Sequence, residues 1–279
     1  MRFGEFTINT FVEQRFKLDG GAMFGVIPKK IWQRLIEADE DNLIPMVTNL
    51  FVLKAHGKNM LFDAGLGDSL SDKEKKIYGT RGESQLEAGL ARLGLNPEDI
   101  DYVLLTHLHT DHAAGAVKKI KEEFVPRFPN ALYYLSRTEF DLAMTPDERT
   151  AAVYIPERLK ALKRSGQVHF VECDSQLFPG IRALFTGGHT RGHYALEITS
   201  GDTSVFYYAD IYCTTAHLKV PYVPGTDLYP VETMRIKRAT LPRIVNHNVV
   251  MAFDHDVNYP LARITDRGDG LKIEPVTGD

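Results

Sequence analysis

The stretch from Thr106 to Ala113 contains four side chains that can bind a metal ion, namely His107, His109, Asp111 and His112. Three of the ten histidines in the chain fall here. In an extended loop, residues two apart point the same way, so His107 and His109 can hold one ion while Asp111 and His112 face a second position. Imidazole and carboxylate ligands suit zinc, with iron, manganese and cobalt as alternatives. We therefore predict a metal centre rather than a polar surface loop.

The pattern on either side of this cluster predicts a strand before it and a helix after it. Residues 102–106 are apolar and β-prone, and residues 113–120 are typical of a helix start. Two apolar strands flanking 56–59 predict a hairpin. Further strands are predicted at 131–135, 168–171, 181–185, 195–199, 204–208 and 249–253, with helices at 86–93, 137–143, 156–164 and 231–238. Strands interleaved with a few helices predict an α/β fold of two packed mixed sheets covered by helices, a four-layer αββα sandwich.

Size and composition are ordinary for a globular protein. The chain has 279 residues, 43% hydrophobic and 25% charged, and no linker divides it, so we interpret residues 1–279 as a single domain. A net charge of −4 without basic blocks argues against nucleic-acid binding. No leader or membrane-spanning stretch is evident, which predicts a cytoplasmic protein without membrane association. Cys173 and Cys213 are too few for a disulfide framework.

Two ions need more ligands than one loop supplies, and three candidates follow predicted strands. His189 is preceded by two glycines, Asp210 ends an apolar run, and His255 follows a buried strand. The carboxylate of Asp210 can bridge two cations with one oxygen to each. His193 is interpreted as a residue that orients this loop or His189, rather than as a ligand.

Together these residues form a pattern that resembles the metallo-β-lactamase superfamily. The pattern is His107-x-His109-x-Asp111-His112, followed by His189, Asp210 and His255, and Asp63-Ala-Gly65 resembles the family's early Asp motif, in which the Asp supports the metal loop without binding metal. The resemblance spans positions 63–255 and implies the αββα sandwich with two divalent metal ions at one edge. It assigns His107, His109 and His189 to the first ion and Asp111, His112 and His255 to the second, with Asp210 joining both.

Three segments resemble one branch of that superfamily, the quorum-quenching N-acyl-homoserine lactonases and their methyl-parathion-hydrolase relatives. They are residues 20–32 and the stretches after Asp210 and around 227–230. The resemblance implies that residues 1–45 contribute to a substrate pocket and a homodimer contact, with the pocket lined by Met23, Phe24 and Ile27; a plain core role for these residues stays open. The lactonases carry a Tyr three residues after the bridging Asp, whereas Tyr212 follows Asp210 by two, and His217 is the alternative polar contact.

The predicted reaction is the opening of an uncharged, apolar lactone or ester by a hydroxide that bridges the metals. A metal ion can lower the pKa of bound water to about 7. Asp111 is placed to handle a proton during ring opening, and Tyr212 is the candidate contact to the carbonyl. The alternatives are a phosphotriesterase or arylesterase of the methyl-parathion-hydrolase type, a glyoxalase II-type thioester hydrolase, a di-iron redox protein and a structural metal site.

Overall fold

The computed structural model describes residues 1–80, 82–245, 248–266, 268 and 270–276. The helices are α1 (Gly20–Phe24), α2 (Lys29–Trp32), α3 (Asp72–Tyr78), α4 (Leu86–Arg92), α5 (Thr110–Ala113), α6 (Arg137–Met144), α7 (Pro156–Arg164) and α8 (Pro230–Ile244). The strands are β1 (Arg2–Phe3), β2 (Phe6–Asp19), β3 (Leu43–Ala55), β4 (Lys58–Phe62), β5 (Tyr102–Leu104), β6 (Val117–Ile120), β7 (Glu123–Pro126), β8 (Leu132–Ser136), β9 (Val168–Val171), β10 (Ser175–Phe178), β11 (Ile181–Phe185), β12 (Tyr194–Ser200), β13 (Thr203–Tyr207), β14 (Val249–Ala252), β15 (Leu261–Asp266) and β16 (Leu271–Pro275). Short 3-10 turns lie at Pro97–Asp99, Ala114–Ala116, Ala209–Ile211 and Thr215–His217.

Both large sheets are mixed. The first has the strand order β1-β2-β3-β4-β5-β8-β9, and β4, β5, β8 and β9 run parallel. Helices α3 and α4 connect β4 to β5, and α6 and α7 connect β8 to β9, because parallel neighbours need crossover connections. The second sheet runs from β10 to β16 in chain order, with β13 and β14 as its parallel pair. Strands β6 and β7 form a separate hairpin.

The described residues pack into two compact units. Residues 6–15 and 48–172 form one, here called the 48–172 unit, and residues 1–5, 16–47 and 173–279 form the other, the 173–279 unit. Each unit buries its own apolar cluster: Val103, Leu105 and Tyr133 lie in that of the first, and Phe206 and Met251 in that of the second. The single-domain interpretation stays a prediction.

The hairpin predicted around residues 56–59 is confirmed. Strands β3 and β4 pair antiparallel, with Ala55 opposite Lys58. The two residues of the turn, His56 and Gly57, have φ values of 52° and 71°. Positive φ at both positions is the geometry that suits the twist of a tight hairpin.

The helix predicted over 113–120 is wrong. Helix α5 ends at Ala113, a 3-10 turn follows, and the chain continues as strand β6. Gly115 packs its backbone against that of Ala64, where an added Cβ would lie only 2.0 Å from the carbonyl oxygen. This close approach and the β-branched Val117 both favour leaving the helix here.

A buried carboxylate in β2 supports the loop that follows β4. Glu13 is fully buried, and its oxygens accept hydrogen bonds from the backbone N–H groups of Leu66 and Gly67, each at 3.1 Å, and from the Thr48 hydroxyl at 2.6 Å. Burial raises the pKa of Glu13, against the opposing effect of these donors. Glu13 thereby anchors the glycine-containing loop that begins at Asp63.

Candidate metal centre

The 106–112 loop leaves the end of β5 and enters α5 with its four candidate ligands buried. Its backbone is fixed from the side by α6 and the chain that follows it. Leu108 N–H donates to the Glu139 carboxylate at 3.2 Å, and Thr110 N–H donates to the Val153 carbonyl at 3.0 Å. Glu139 is itself buried and accepts the Tyr154 hydroxyl at 2.6 Å. The loop therefore has little freedom to rearrange.

Asp63 ties this loop to the end of β4. One of its oxygens accepts the backbone N–H of Thr106 at 2.8 Å, and the other lies 2.9 Å from Nδ1 of His112. A carboxylate opposite Nδ1 keeps the proton on that nitrogen and leaves Nε2 with its lone pair. Asp63 has a φ of 51°, a left-handed conformation that is uncommon outside glycine. Asp63 thus contacts the loop through both oxygens, and its role as the supporting Asp of the family motif stays a prediction.

Asp111 lies beside His112, with its Oδ2 4.0 Å from the His112 Nε2. The hydroxyl of Tyr78, at the end of α3, donates to the other carboxylate oxygen at 3.4 Å. Burial, and then the charge of Asp111, raise the pKa of Tyr78, so the phenol stays protonated and remains a donor.

His189 is held between two carboxylates. Its Nδ1 lies 2.8 Å from Asp227 Oδ1, and its Nε2 lies 2.9 Å from Asp210 Oδ2. Burial alone would lower the pKa of His189, but the two carboxylates outweigh burial and raise the pKa to about 10. The preceding Gly188 has a φ of 75°, and a Cβ there would lie 2.5 Å from the Thr233 hydroxyl oxygen. The glycine is what allows this loop to pack against α8.

Asp210 follows β13 in a 3-10 turn and places one oxygen near each of two imidazoles. Its Oδ2 faces His189, and its Oδ1 lies 3.3 Å from Nε2 of His255. Ala209, immediately before it, has a φ of 43°. The turn bends sharply at the strand end, which directs the carboxylate toward both rings.

His255, beyond β14, is oriented by the backbone. Its Nδ1 donates to the Val47 carbonyl at 2.8 Å, which leaves Nε2 as the acceptor nitrogen of the neutral ring. The Oδ2 of Asp254 lies 3.5 Å from that Nε2, and the ring edge packs on Phe16.

Two groups of side chains bring their ligand atoms within 4.8 Å of one another. The first group is His107, His109, His189 and Asp210, and the second is His112, Asp210, Asp254 and His255. All are buried, and Asp210 belongs to both. Imidazole nitrogens and carboxylate oxygens at this spacing fit divalent ions such as zinc, iron or manganese. The set is thus a candidate site for two such ions, with Asp210 common to both.

Two carboxylates at this site escaped the sequence interpretation. Asp254 stands in the second group although Asp111 was the acid predicted there, and Asp111 is in neither group. Asp227 contacts His189 from 38 positions further along the chain. The adjacency of Asp254 to His255 was a usable signal, whereas nothing in the sequence around Asp227 pairs it with His189.

The residues predicted to contact substrate lie in or beside a packed aromatic cluster. Phe24 is fully buried and stacks on His217 at 4.6 Å and on Trp32 at 5.1 Å between ring centres. His217 Nε2 donates to the Met23 carbonyl and its Nδ1 accepts from Thr214, both at 2.8 Å. Burial, and then the charge of Lys237, lower the pKa of His217 to about 3. The neutral imidazole therefore acts as a link between α1 and the 214–217 turn.

Tyr212 and Lys237 belong to the same packed region. The Tyr212 hydroxyl lies 3.0 Å from that of Thr240 and 3.3 Å from the Lys237 carbonyl, on α8. Lys237 is fully buried, and its ammonium donates to the carbonyls of His217 and Tyr222, each at 2.7 Å. Burial lowers the pKa of Lys237 to about 8. This geometry favours a packing role for Tyr212, and its contact with a substrate stays a prediction.

Ile27 and His193 are the remaining predicted residues. Ile27 is half-buried in the turn after α1. His193 is fully buried, with its Nδ1 2.6 Å from the Thr186 hydroxyl and its carbonyl accepting the N–H of Gly187. These contacts close the loop that carries His189, and the orienting role of His193 stays a prediction. No helix in the described part of the chain is long and apolar enough to cross a membrane.

Comparison with known proteins gives consistent matches. A sequence model described as the metallo-beta-lactamase superfamily matches residues 43–242. The N-acyl homoserine lactonase of Bacillus cereus is 27% identical over 167 residues, which are 56% of this chain and 60% of that enzyme. The corresponding enzyme of Bacillus thuringiensis is 25% identical over 218 residues, 74% of this chain and 80% of that one.

Solved structures agree over the whole chain. A probable metal-dependent hydrolase from Staphylococcus aureus is 32% identical with a TM-score of 0.92, covering 100% of this chain and 99% of that one. AidC, a dizinc quorum-quenching lactonase solved with a product, is 19% identical with a TM-score of 0.82, covering 100% and 97%, and this likeness speaks for the fold alone. The α/β fold class predicted from the sequence, the αββα sandwich, is confirmed.

Proposed function

Since the chain belongs to the metallo-beta-lactamase superfamily, we propose that it is a metal-dependent hydrolase that opens lactone rings, with N-acyl homoserine lactones as its substrate class. The observation that carries the proposal is the position of Asp210 in both ligand groups, with one carboxylate oxygen toward His189 and the other toward His255. Relatives named N-acyl homoserine lactonases support the substrate class.

The ligand assignment follows the sequence pattern. His107, His109 and His189 would hold one ion, Asp111, His112 and His255 the other, and Asp210 both. Asp254, which lies in the second group, is an additional acidic donor there. Bound divalent ions would lower the pKa of water to about 7 and polarise a carbonyl oxygen.

The protein's own contribution is to orient and to move a proton. Asp63, Asp227 and the Val47 carbonyl occupy Nδ1 of His112, His189 and His255, so each ring presents Nε2. Asp111, which accepts a hydrogen bond from the Tyr78 hydroxyl, would take the proton that the attacking water loses and pass it to the alkoxide that ring opening releases.

No thiol is needed as a nucleophile. Cys213 is fully buried, and burial raises its pKa, which disfavours the reactive thiolate.

The metal identity, the cytoplasmic location, the homodimer and the roles of Met23 and Ile27 at the substrate stay predictions.

A substrate panel tests the proposal. Metal-loaded protein is incubated separately with N-acyl homoserine lactones, aryl esters and a phosphotriester. Hydrolysis of each substrate is measured through the protons that it releases. We expect lactone turnover that falls by more than about a hundredfold in Asp210→Ala, beyond the range seen when only a supporting residue is removed. Asp202→Ala is the matched control, because Asp202 lies exposed in the turn between β12 and β13, at the other end of the strand that leads to Asp210.

Two results would contradict the proposal. One is lactone turnover in Asp210→Ala equal to that in Asp202→Ala, which would remove Asp210 from the chemistry. The other is efficient phosphotriester or aryl ester hydrolysis without any lactone opening, which would favour the phosphotriesterase or arylesterase alternative.

A further inference from the structure

The loop of residues 63–67, which follows β4, holds His112 at two points. The Asp63 carboxylate lies 2.9 Å from Nδ1 of the His112 ring, and Ala64 N–H donates to the His112 carbonyl at 2.7 Å. Because both contacts are to one residue, a shift of the loop would move the ring and its backbone together. The position of the 63–67 loop therefore helps to set the position of His112, a member of the second ligand group.

The other end of this loop rests on Glu13, in β2. The Oε2 of Glu13 accepts the N–H of Leu66, and its Oε1 accepts the N–H of Gly67, each at 3.1 Å. The Thr48 hydroxyl donates to Oε2 at 2.6 Å, and the Ser84 hydroxyl donates to Oε1. The Glu13 side chain is fully buried, and each of its oxygens is held by one backbone donor and one hydroxyl.

We propose that Glu13 is a positioning residue for the second metal ion and acts on His112 through the 63–67 loop. This inference rests on the proposed function, in which His112 is a metal ligand, and deepens it. Glu13 belongs to neither ligand group, so it affects metal binding only through the residues that it holds. Residues that orient a ligand from outside the coordination shell commonly change metal affinity by about 10- to 100-fold.

A carboxylate suits this position because the loop presents two adjacent N–H donors. An ionised carboxyl group offers only acceptor sites, whereas an amide of the same shape has one oxygen and one NH₂ group. In Glu13→Gln the NH₂ group would face the N–H of either Leu66 or Gly67. A buried donor without an acceptor is costly, so we expect this end of the loop to withdraw from the substituted side chain.

Gly65 brings the loop backbone close to Glu13. Its φ is 70°, and a Cβ added there would overlap Oε2 of Glu13. Glycine tolerates both the left-handed angle and the close approach. Gly65→Ala is therefore a second way to displace the loop, and it leaves the carboxylate itself unchanged.

The first test measures metal affinity without any substrate. Zinc is titrated by calorimetry into metal-free wild type, Glu13→Gln and Thr48→Val. Thr48→Val is the matched control, because it removes a hydroxyl donor from Glu13 but leaves both backbone contacts to the loop. We expect the affinity for one of the two zinc equivalents to fall by about tenfold or more in Glu13→Gln and to stay near the wild-type value in Thr48→Val.

The second test separates positioning from a general loss of stability. The proton NMR signal of the His112 Nδ1–H, which lies against Asp63, is compared in the three metal-free proteins. We expect this signal to shift or broaden in Glu13→Gln and to keep its position in Thr48→Val, although both variants lose stability in urea unfolding. A purely structural role of Glu13 would leave the signal where it is in both.

Either an unchanged His112 signal or an unchanged zinc affinity in folded Glu13→Gln would overturn the proposal. If Glu13→Gln does not fold, both measurements are made on Gly65→Ala, for which the same changes are expected and the same two results would overturn it. Zinc binding by the wild type without lactone turnover would reject the lactonase and leave this inference to be decided by the variants. Lactone turnover with unchanged zinc affinity in the variants would reject this inference alone.

Discussion

The 106–112 loop and the strand-end loops that carry His189, Asp210 and His255 present the same kinds of ligand through different designs. The first takes four candidate ligands from six consecutive positions and fixes them with side-chain carboxylates, Asp63 and Glu139. The second takes one from each of three loops, where the Asp227 carboxylate holds the His189 ring and the Val47 backbone carbonyl holds the His255 ring. Local spacing defines one set, whereas only tertiary packing defines the other.

The largest effect is expected from removing one ligand in each region. His109→Ala and His189→Ala should each lower lactone turnover by more than about a hundredfold, because both imidazoles belong to the same ligand group. Metal content measured after dialysis shows whether the lower turnover comes from the loss of a metal ion. Circular dichroism checks that both variants fold. Equal metal content in wild type and His189→Ala would show that only the contiguous loop binds metal.

Acid should weaken the strand-end region through His217. Its pKa is about 3 in the folded protein and near its ordinary value of 6.5 in the unfolded chain. Between these values the unfolded chain holds the extra proton, so stability falls as pH drops from 6.5 toward 3. By pH 4 the protonation of His217 in the unfolded chain should lower the free energy of unfolding by about 3 kcal/mol.

Urea unfolding of metal-free wild type and His217→Gln at pH 6.5 and pH 4 measures this contribution. Gln cannot take up the proton, so its free energy of unfolding should fall less than that of the wild type over the same interval. If the two proteins lose stability in parallel, the acid sensitivity lies elsewhere in the chain.

The two orienting carboxylates allow a matched comparison. Asp63→Asn and Asp227→Asn should each weaken metal binding by about 10- to 100-fold, since each carboxylate contacts one ligand imidazole. Asp63→Asn should also lower the melting temperature more, because Asp63 accepts from both the backbone N–H and the hydroxyl of Thr106, whereas Asp227 accepts from the Thr233 hydroxyl. Metal titration by calorimetry and thermal unfolding provide the two readouts. A larger loss of melting temperature in Asp227→Asn would reverse this comparison.

The sequence predicted what depends on local spacing and left out what depends on tertiary contact. The hairpin at 55–58, strand β5 and helices α6 and α7 follow from alternation and helical periodicity, and all are present. The helix expected after His112 was wrong because the Gly115–Ala64 backbone contact has no signature in either segment alone.

The candidate site shows the same limit. His189, Asp210 and His255 were identified through their order along the chain and a family resemblance, and each was weak by itself. The 227–230 stretch was singled out by resemblance alone. The contacts of Asp227 with His189 and of Glu13 with Leu66 could not have been found from the sequence, because only folding brings these distant positions together.

The smallest effect is expected at Ala209, next to Asp210. Like Asp63 beside the 106–112 loop, Ala209 has a left-handed backbone conformation. Glycine would relieve about 1 kcal/mol of backbone strain but lose about as much through chain entropy, so Ala209→Gly should change the free energy of unfolding by less than about 1 kcal/mol. Ala209→Val should destabilise more, because a β-branched residue tolerates a φ of 43° poorly. Chemical denaturation measures both. A large stabilisation by glycine would mean that the strain is greater than the backbone angle indicates.

Chemical labelling of the buried Lys237 amine can measure how often the 217–222 segment opens. The Lys237 nitrogen donates to two carbonyls, and a neutral amine still has two hydrogens for them, so the contacts survive loss of the proton near pH 8. Because the amine is sealed from solvent, acylating reagents can reach it only when the 217–222 segment opens. Mass spectrometry of labelled Lys237 would therefore time that opening directly, against the exposed lysines of the same molecule.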